Sequence, residues 1–113
     1  MFIINRPLKS SEILAKYNNI YGTMIKAVVD TEKSIMAIDD ELHSDLESYL
    51  ISSGSRQNNL WGINLFLNKP LPEWIDYTAL INIRPSMNNR SMIIQDAAIQ
   101  KKIAGIVYRL VEP

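Results

Sequence analysis

The chain has no cysteine, four glycines and five prolines in 113 residues. Without cysteine there is no disulfide, no thiolate-bound zinc or iron–sulfur cluster and no thiol nucleophile. Four glycines leave little material for a backbone phosphate cradle. Neither G-x-x-x-x-G-K-S/T nor G-x-G-x-x-G occurs, and H-E-x-x-H and G-x-S-x-G are missing too. Net charge is also lacking: twelve basic side chains face twelve acidic ones. A protein that coats nucleic acid carries a strong basic excess, so nucleic acid is not the expected partner. No apolar run approaches the roughly 18 residues of a membrane helix. Phe2-Ile3-Ile4 is too short for the apolar core of a secretory signal. The expectation is a cytoplasmic protein with no membrane partner, and no motif implies a cofactor.

At 47% hydrophobic and 21% charged residues, the chain has the composition of an ordinary globular protein. Its length fits one domain spanning residues 1–113. The zero net charge is a sum of two opposed stretches. Residues 30–47 hold seven acids and one base, whereas residues 84–109 hold five bases and one acid. That asymmetry permits a local site for an anionic ligand, or charge matching between subunits.

Periodicity gives the elements. Phe2-Ile3-Ile4 reads as a short strand ended by Pro7. Ser10 or Ser11 caps a helix over about 11–21, which Gly22 ends. Residues 24–30 alternate, residues 34–38 are a second apolar run, and the pair predicts a β-hairpin. Ser44 and Glu47 have capping-box spacing, which places a second helix over about 45–53. Residues 60–67 alternate again. Residues 75–84 show the cleanest alternation, with Ile75, Tyr77, Ala79, Ile81 and Ile83 on one side. Residues 85–94 read as a loop, and Asp96 caps a last helix striped by Ile99, Ile103, Ile106, Val107 and Leu110. The order is β-α-β-β-α-β-β-α. It predicts an α+β fold with one largely antiparallel sheet and helices packed on one face, compatible with a ferredoxin-like split β-α-β.

If the helices cover the Ile75–Ile83 side, the other face carries Lys26, Asn64, Asp76, Thr78, Asn82 and Arg84, with Met24, Val28, Phe66 and Leu80. It reads either as a solvated sheet face or as a dimer interface or shallow ligand site. Asparagine is disfavoured in strands, so Asn64 and Asn82 on this face point to side-chain hydrogen bonding. His43 is the only histidine. In an extended segment Glu41, His43 and Asp45 would point the same way, as a metal site or as an acid–base group with Glu41 beside His43. Otherwise His43 is a surface residue before a helix whose dipole attracts acids. Arg84, Asn89 and Arg90 flank one loop and can grip phosphate or carboxylate in forked geometry, or simply be solvated. Gly62 after Trp61 marks either a close backbone approach or merely the neighbour of a buried tryptophan.

The segments Met24–Asp30, Glu41-Leu42-His43, Gly54-Ser55, Leu60–Leu65, Ile81–Ser86 and Asn89-Arg90-Ser91 together resemble a family of small prokaryotic proteins of unknown function. The resemblance runs along most of the chain. It implies a stand-alone cytoplasmic protein and no established activity. It singles out Lys26, Glu41, His43, Asn64, Asn82, Arg84, Asn89 and Arg90. Such proteins tend to carry glycines where this chain has Asp39-Asp40. Two function classes follow. One is a binding or interaction protein that self-associates as a homodimer. The other is an enzyme or nucleic-acid-processing factor acting on a phosphate-bearing ligand, with His43 moving a proton and Arg84 and Arg90 holding the anion.

Overall fold

A computed structural model describes residues 1–17 and 24–113. Among the described residues ten strands and α-helices follow one another: β1 (Phe2–Ile4), β2 (Leu8–Lys9), α1 (Ser10–Tyr17), β3 (Ile25–Asp30), β4 (Ile35–Ile38), α2 (His43–Ser52), β5 (Leu60–Leu65), β6 (Ile75–Asp76), α3 (Ala97–Leu110) and β7 (Val111–Glu112). The fold is α+β. Its main sheet has the order β1-β4-β3-β5-β6, and every pairing in it is antiparallel. β2 and β7 form a separate parallel pair. Neither of those two-residue strands has a sequence pattern long enough to show. The Ile20–Gly22 end of the first expected helix lies outside the described residues.

The split β-α-β occurs twice. β1 and β3 run parallel with β4 between them, joined through α1. β4 and β5 run parallel with β3 between them, joined through α2. Both crossovers step the same way across the sheet but start from antiparallel strands. Two crossovers of one hand must then land on opposite faces. The helices therefore do not share one face, as the element order alone suggested. One core packs Ile13 of α1 and Ile103, Ile106, Val107 and Leu110 of α3 against Ala27, Val29, Met36, Ile38, Trp61, Ile63 and Leu65. The other packs Leu46 and Leu50 of α2 against Val28, Ala37 and Leu60. Val28, expected on an open face, is fully buried beneath α2.

Local chemistry explains the boundaries. Asp96 caps α3 by accepting from the N–H groups of Ala98 and Ile99, as its position implied. The β3–β4 turn is built by buried Asp30. One of its oxygens accepts from the N–H groups of Glu32 and Lys33, and the other from the Ser55 hydroxyl at 2.6 Å. α2 opens two residues earlier than expected. Leu42 precedes it with no side-chain cap, so the Ser44–Glu47 capping box does not form. Asp39 has φ of +74°, a left-handed conformation that favours glycine.

The largest correction concerns residues 75–84. Only Ile75–Asp76 is strand, paired with Asn64 and Leu65. The chain then turns away into an irregular hairpin. Thr78 bridges to Ile93, Ala79 N–H donates to Met92 O, and Arg84 bridges to Asn89. Asn82 explains the departure. Its Oδ1 accepts from Gly62 N–H at 2.8 Å and its Nδ2 donates to Gly62 O at 2.9 Å. A side-chain amide thus takes the place that a neighbouring strand's peptide would fill. The strand ends where this substitution begins.

Candidate functional site

The strand register sets a row of polar side chains across the sheet. Lys26 on β3 faces Asn64 on β5, and Asn64 faces Asp76 on β6. On this side β5 carries Gly62, whose missing side chain leaves room. A Cβ there would lie 2.5 Å from Ala79 Cβ and 3.1 Å from His43 Cδ2. Glycine is required because the α2 histidine and the 79–82 segment both close onto the strand. The close-approach reading of Gly62 is the one observed, and Trp61 is buried as well.

Between the first turn of α2, the row and the irregular hairpin lies a cleft of about 410 Å³. Lys26, His43, Asn64 and Thr78 supply polar groups. Met24, Leu42, Leu80, Ile81 and Met92 supply the apolar wall, and Ser44 and Ala79 complete the lining. His43 is 9% exposed. Its Nε2 lies 2.8 Å from Ile63 O. A carbonyl can only accept, so Nε2 carries the proton and the neutral ring keeps Nδ1 as its basic nitrogen. The imidazole pKa is lowered. Desolvation dominates, Lys26 adds repulsion, and the Ile63 carbonyl, Asn64 and Asp76 oppose without cancelling it.

Asn64 is held by two bonds, Nδ2 to Asp76 Oδ2 at 2.8 Å and to Thr78 O at 3.1 Å. Asp76 Oδ1 accepts from the Thr78 hydroxyl at 3.1 Å. The row beneath the imidazole is therefore a connected network rather than a set of mobile side chains.

The candidate residues separate into a cleft set, an inward-turned set and two exposed residues. Lys26, His43 and Asn64 meet in the cleft. Asn82, Arg84 and Asn89 turn inward to hold the hairpin. Asn82 is fully buried on Gly62. Asn89, 3% exposed, donates to Asn82 O at 2.7 Å and accepts from Gln95 N–H at 2.8 Å. The Arg84 side chain is 10% exposed; it pairs with Glu47 Oε2 at 2.7 Å, donates to Leu60 O and lies 5.1 Å from the Trp61 ring. Its charge is answered by Glu47, and it is not among the cleft residues. Arg90 is exposed, and its backbone N–H donates to Gln95 Oε1. Glu41 is exposed and lies outside the cleft lining. The facial set of Glu41, His43 and Asp45 needed an extended segment. Because His43 opens α2, Asp45 points elsewhere around the helix. Among the described residues no group of three histidine or acidic side chains is arranged to hold a metal ion.

Sequence reasoning missed Leu42, Ser44, Ala79, Ile81 and Met92 as lining. Ile81 stood on the expected core side, and Met92 lay in a loop with no period. No helix is long and apolar enough to cross a membrane among the described residues.

These features define a small α+β protein with an antiparallel sheet between helices and one polar-floored cleft at the end of its second layer. The chain belongs to the family described as "Protein of unknown function (DUF5674)", whose model matches residues 2–110. No curated protein and no solved structure matches it.

Proposed function

We propose that this is a small cytoplasmic binding protein, prokaryotic like the proteins it resembles, whose working site is the His43 cleft. The observation that carries this reading is the pairing of a rigid polar floor with an apolar wall in one concavity. Such mixed linings suit small molecules, with the polar groups orienting what the apolar wall holds. Lys26 is the lysine or arginine that lines the cleft, and Arg84 pairs with Glu47 outside it. The test is a fragment screen followed by backbone amide NMR. Hits should move residues 26, 43, 64 and 78–81 together, and Ile81→Trp, which fills the cleft, should abolish the shifts. Hits that map instead to the polar hollow of Glu32 and Arg56–Asn59 would defeat the reading.

Self-association belongs to the same reading. Leu42, Leu80, Ile83, Met92 and Ile93 are 51%, 70%, 43%, 41% and 53% exposed, and three of them line the cleft. Exposed apolar side chains of this kind favour an interface, and a homodimer would cover Leu42, Leu80 and Met92 at the cleft. A catalytic reading has one observation in its favour: a neutral imidazole in a cleft is a competent general base. There His43 would move the proton and Lys26 would face the phosphate-bearing substrate.

A further inference from the structure

Two opposed stretches of charge meet at the cleft. The acidic one, residues 30–47, contains the start of α2, and the basic one, residues 84–109, contains the returning limb of the irregular hairpin. Leu42 from the first and Met92 from the second line the same concavity. Several of these charges are answered within the chain. Asp30 holds its own turn, Asp39 faces the amino terminus at 3.6 Å, Glu47 pairs with Arg84, and Arg109 donates to Ser34 O. Asp45 and Arg90 are different. Both are exposed, and among the described residues neither side chain has a partner. Asp45 lies three residues past Leu42, a spacing that sets neighbours on one helix surface. Arg90 lies two residues before Met92 on the hairpin.

An exposed apolar rim with an unanswered acid on one wall and an unanswered base on the other is complementary to itself. A two-fold axis sets each wall of one copy against the opposite wall of the other. Resting on the self-association reading, we propose that the occupant of the cleft mouth is a second copy of this chain docked two-fold, with Arg90 of each protomer paired to Asp45 of the partner subunit. Leu80, at 70% the most exposed large apolar side chain among the described residues, closes the partner's cleft. The ion pairs fix register and orientation, while the apolar rim supplies the driving force. A molecule held in the cleft is then enclosed by two chains, so ligand binding and dimerisation reinforce each other.

Exchanging the charges tests the pairing. Arg90→Asp and Asp45→Arg each place two like-charge contacts across the axis. In sedimentation velocity each variant alone should show a dimer dissociation constant raised at least about tenfold. An equimolar mixture of the two should regain the dimer as a heterodimer, because both cross-subunit contacts are then attractive. Recovery in the mixture also shows that both variants are folded. On the unaltered protein, added sodium chloride should weaken the dimer, since exposed ion pairs are screened. Variants that dimerise as the parent does, variants that stay monomeric when mixed, or a parent dimer indifferent to salt would each overturn the pairing while leaving self-association in place. A monomeric parent overturns the self-association reading itself, and this proposal with it.

Discussion

Asn82 and His43 both close onto the bare stretch of β5 at Gly62. The Asn82 amide satisfies both backbone groups of Gly62, while the His43 ring lies over the same glycine. Asn82→Ala leaves a buried N–H and a buried C=O unpaired, at about 1–3 kcal/mol each. Urea denaturation should show that loss, and an unshifted midpoint would refute the assignment. Gly62→Ala should also destabilise, and should move the His43 ring resonances. His43 itself makes stability depend on pH. Its folded-state pKa is lowered, so the unfolded chain takes up the proton first as pH falls. The imidazole's contribution is therefore full above the ordinary value of about 6.5. It declines below that value until the folded-state pKa is passed. Urea midpoints at pH 7.5 and 5.5 should differ less in His43→Gln than in the parent. Identical differences would show that the ring is not responsible.

At the scale of elements, α2 is tied to the irregular hairpin by the Arg84–Glu47 pair, whose side chains are 10% and 13% exposed. Removing one partner strands the other charge in a dry place, at a cost of roughly 3–5 kcal/mol. Arg84→Ala and Glu47→Ala should each be severe, and the double variant should cost clearly less than their sum. Additive losses in denaturation would mean that the pair is not coupled. The same scale shows what the sequence could convey. β3, β4, β5 and α3 were legible because their alternation or stripe is local, and Asp96 capped α3 where expected. The 75–84 segment misled because its alternation is real, yet Asn82 competes for the strand's own backbone partners. Lys26, His43 and Asn64 were visible as polar residues on one side. Arg84 and Asn89 looked the same in sequence, since a polar side chain that binds a ligand and one that braces a hairpin have the same chemistry. What separates them is burial against partners far along the chain. The face taken by α2 was invisible for a related reason: it follows from the order of strands, which no single element encodes.

For the whole molecule, two cores share one sheet, so β3 contributes to both: Ala27 and Val29 to one and Val28 to the other. Leu46→Ala, in the smaller core, should cost about 2–5 kcal/mol. It should loosen the cleft as well, because Leu46 lies one turn beyond His43 on α2. Loss of stability without any change at the cleft amides would separate the two. The exposed apolar mouth makes a prediction at this scale. Light scattering at micromolar concentration should report a dimer, and Leu80→Ser with Ile93→Ser should yield a monomer. A monomeric parent protein would count against self-association.

The parallel pair of β2 and β7 has a kinetic consequence. Leu8 pairs with Val111 and Lys9 with Glu112, so one two-residue ladder closes a loop of nearly the whole chain. Loop closure of that length is entropically costly before its contacts form, and topologies rich in distant pairings fold slowly. β1 can settle early on β4, whereas β2 must wait for β7. During synthesis β3, β4 and β5 can assemble first, while β2 has no partner until residues 111–112 have emerged. The Leu8–Val111 clasp is thus a late step of folding, and a nascent chain stalled before it would still expose the Ile13 side of its core.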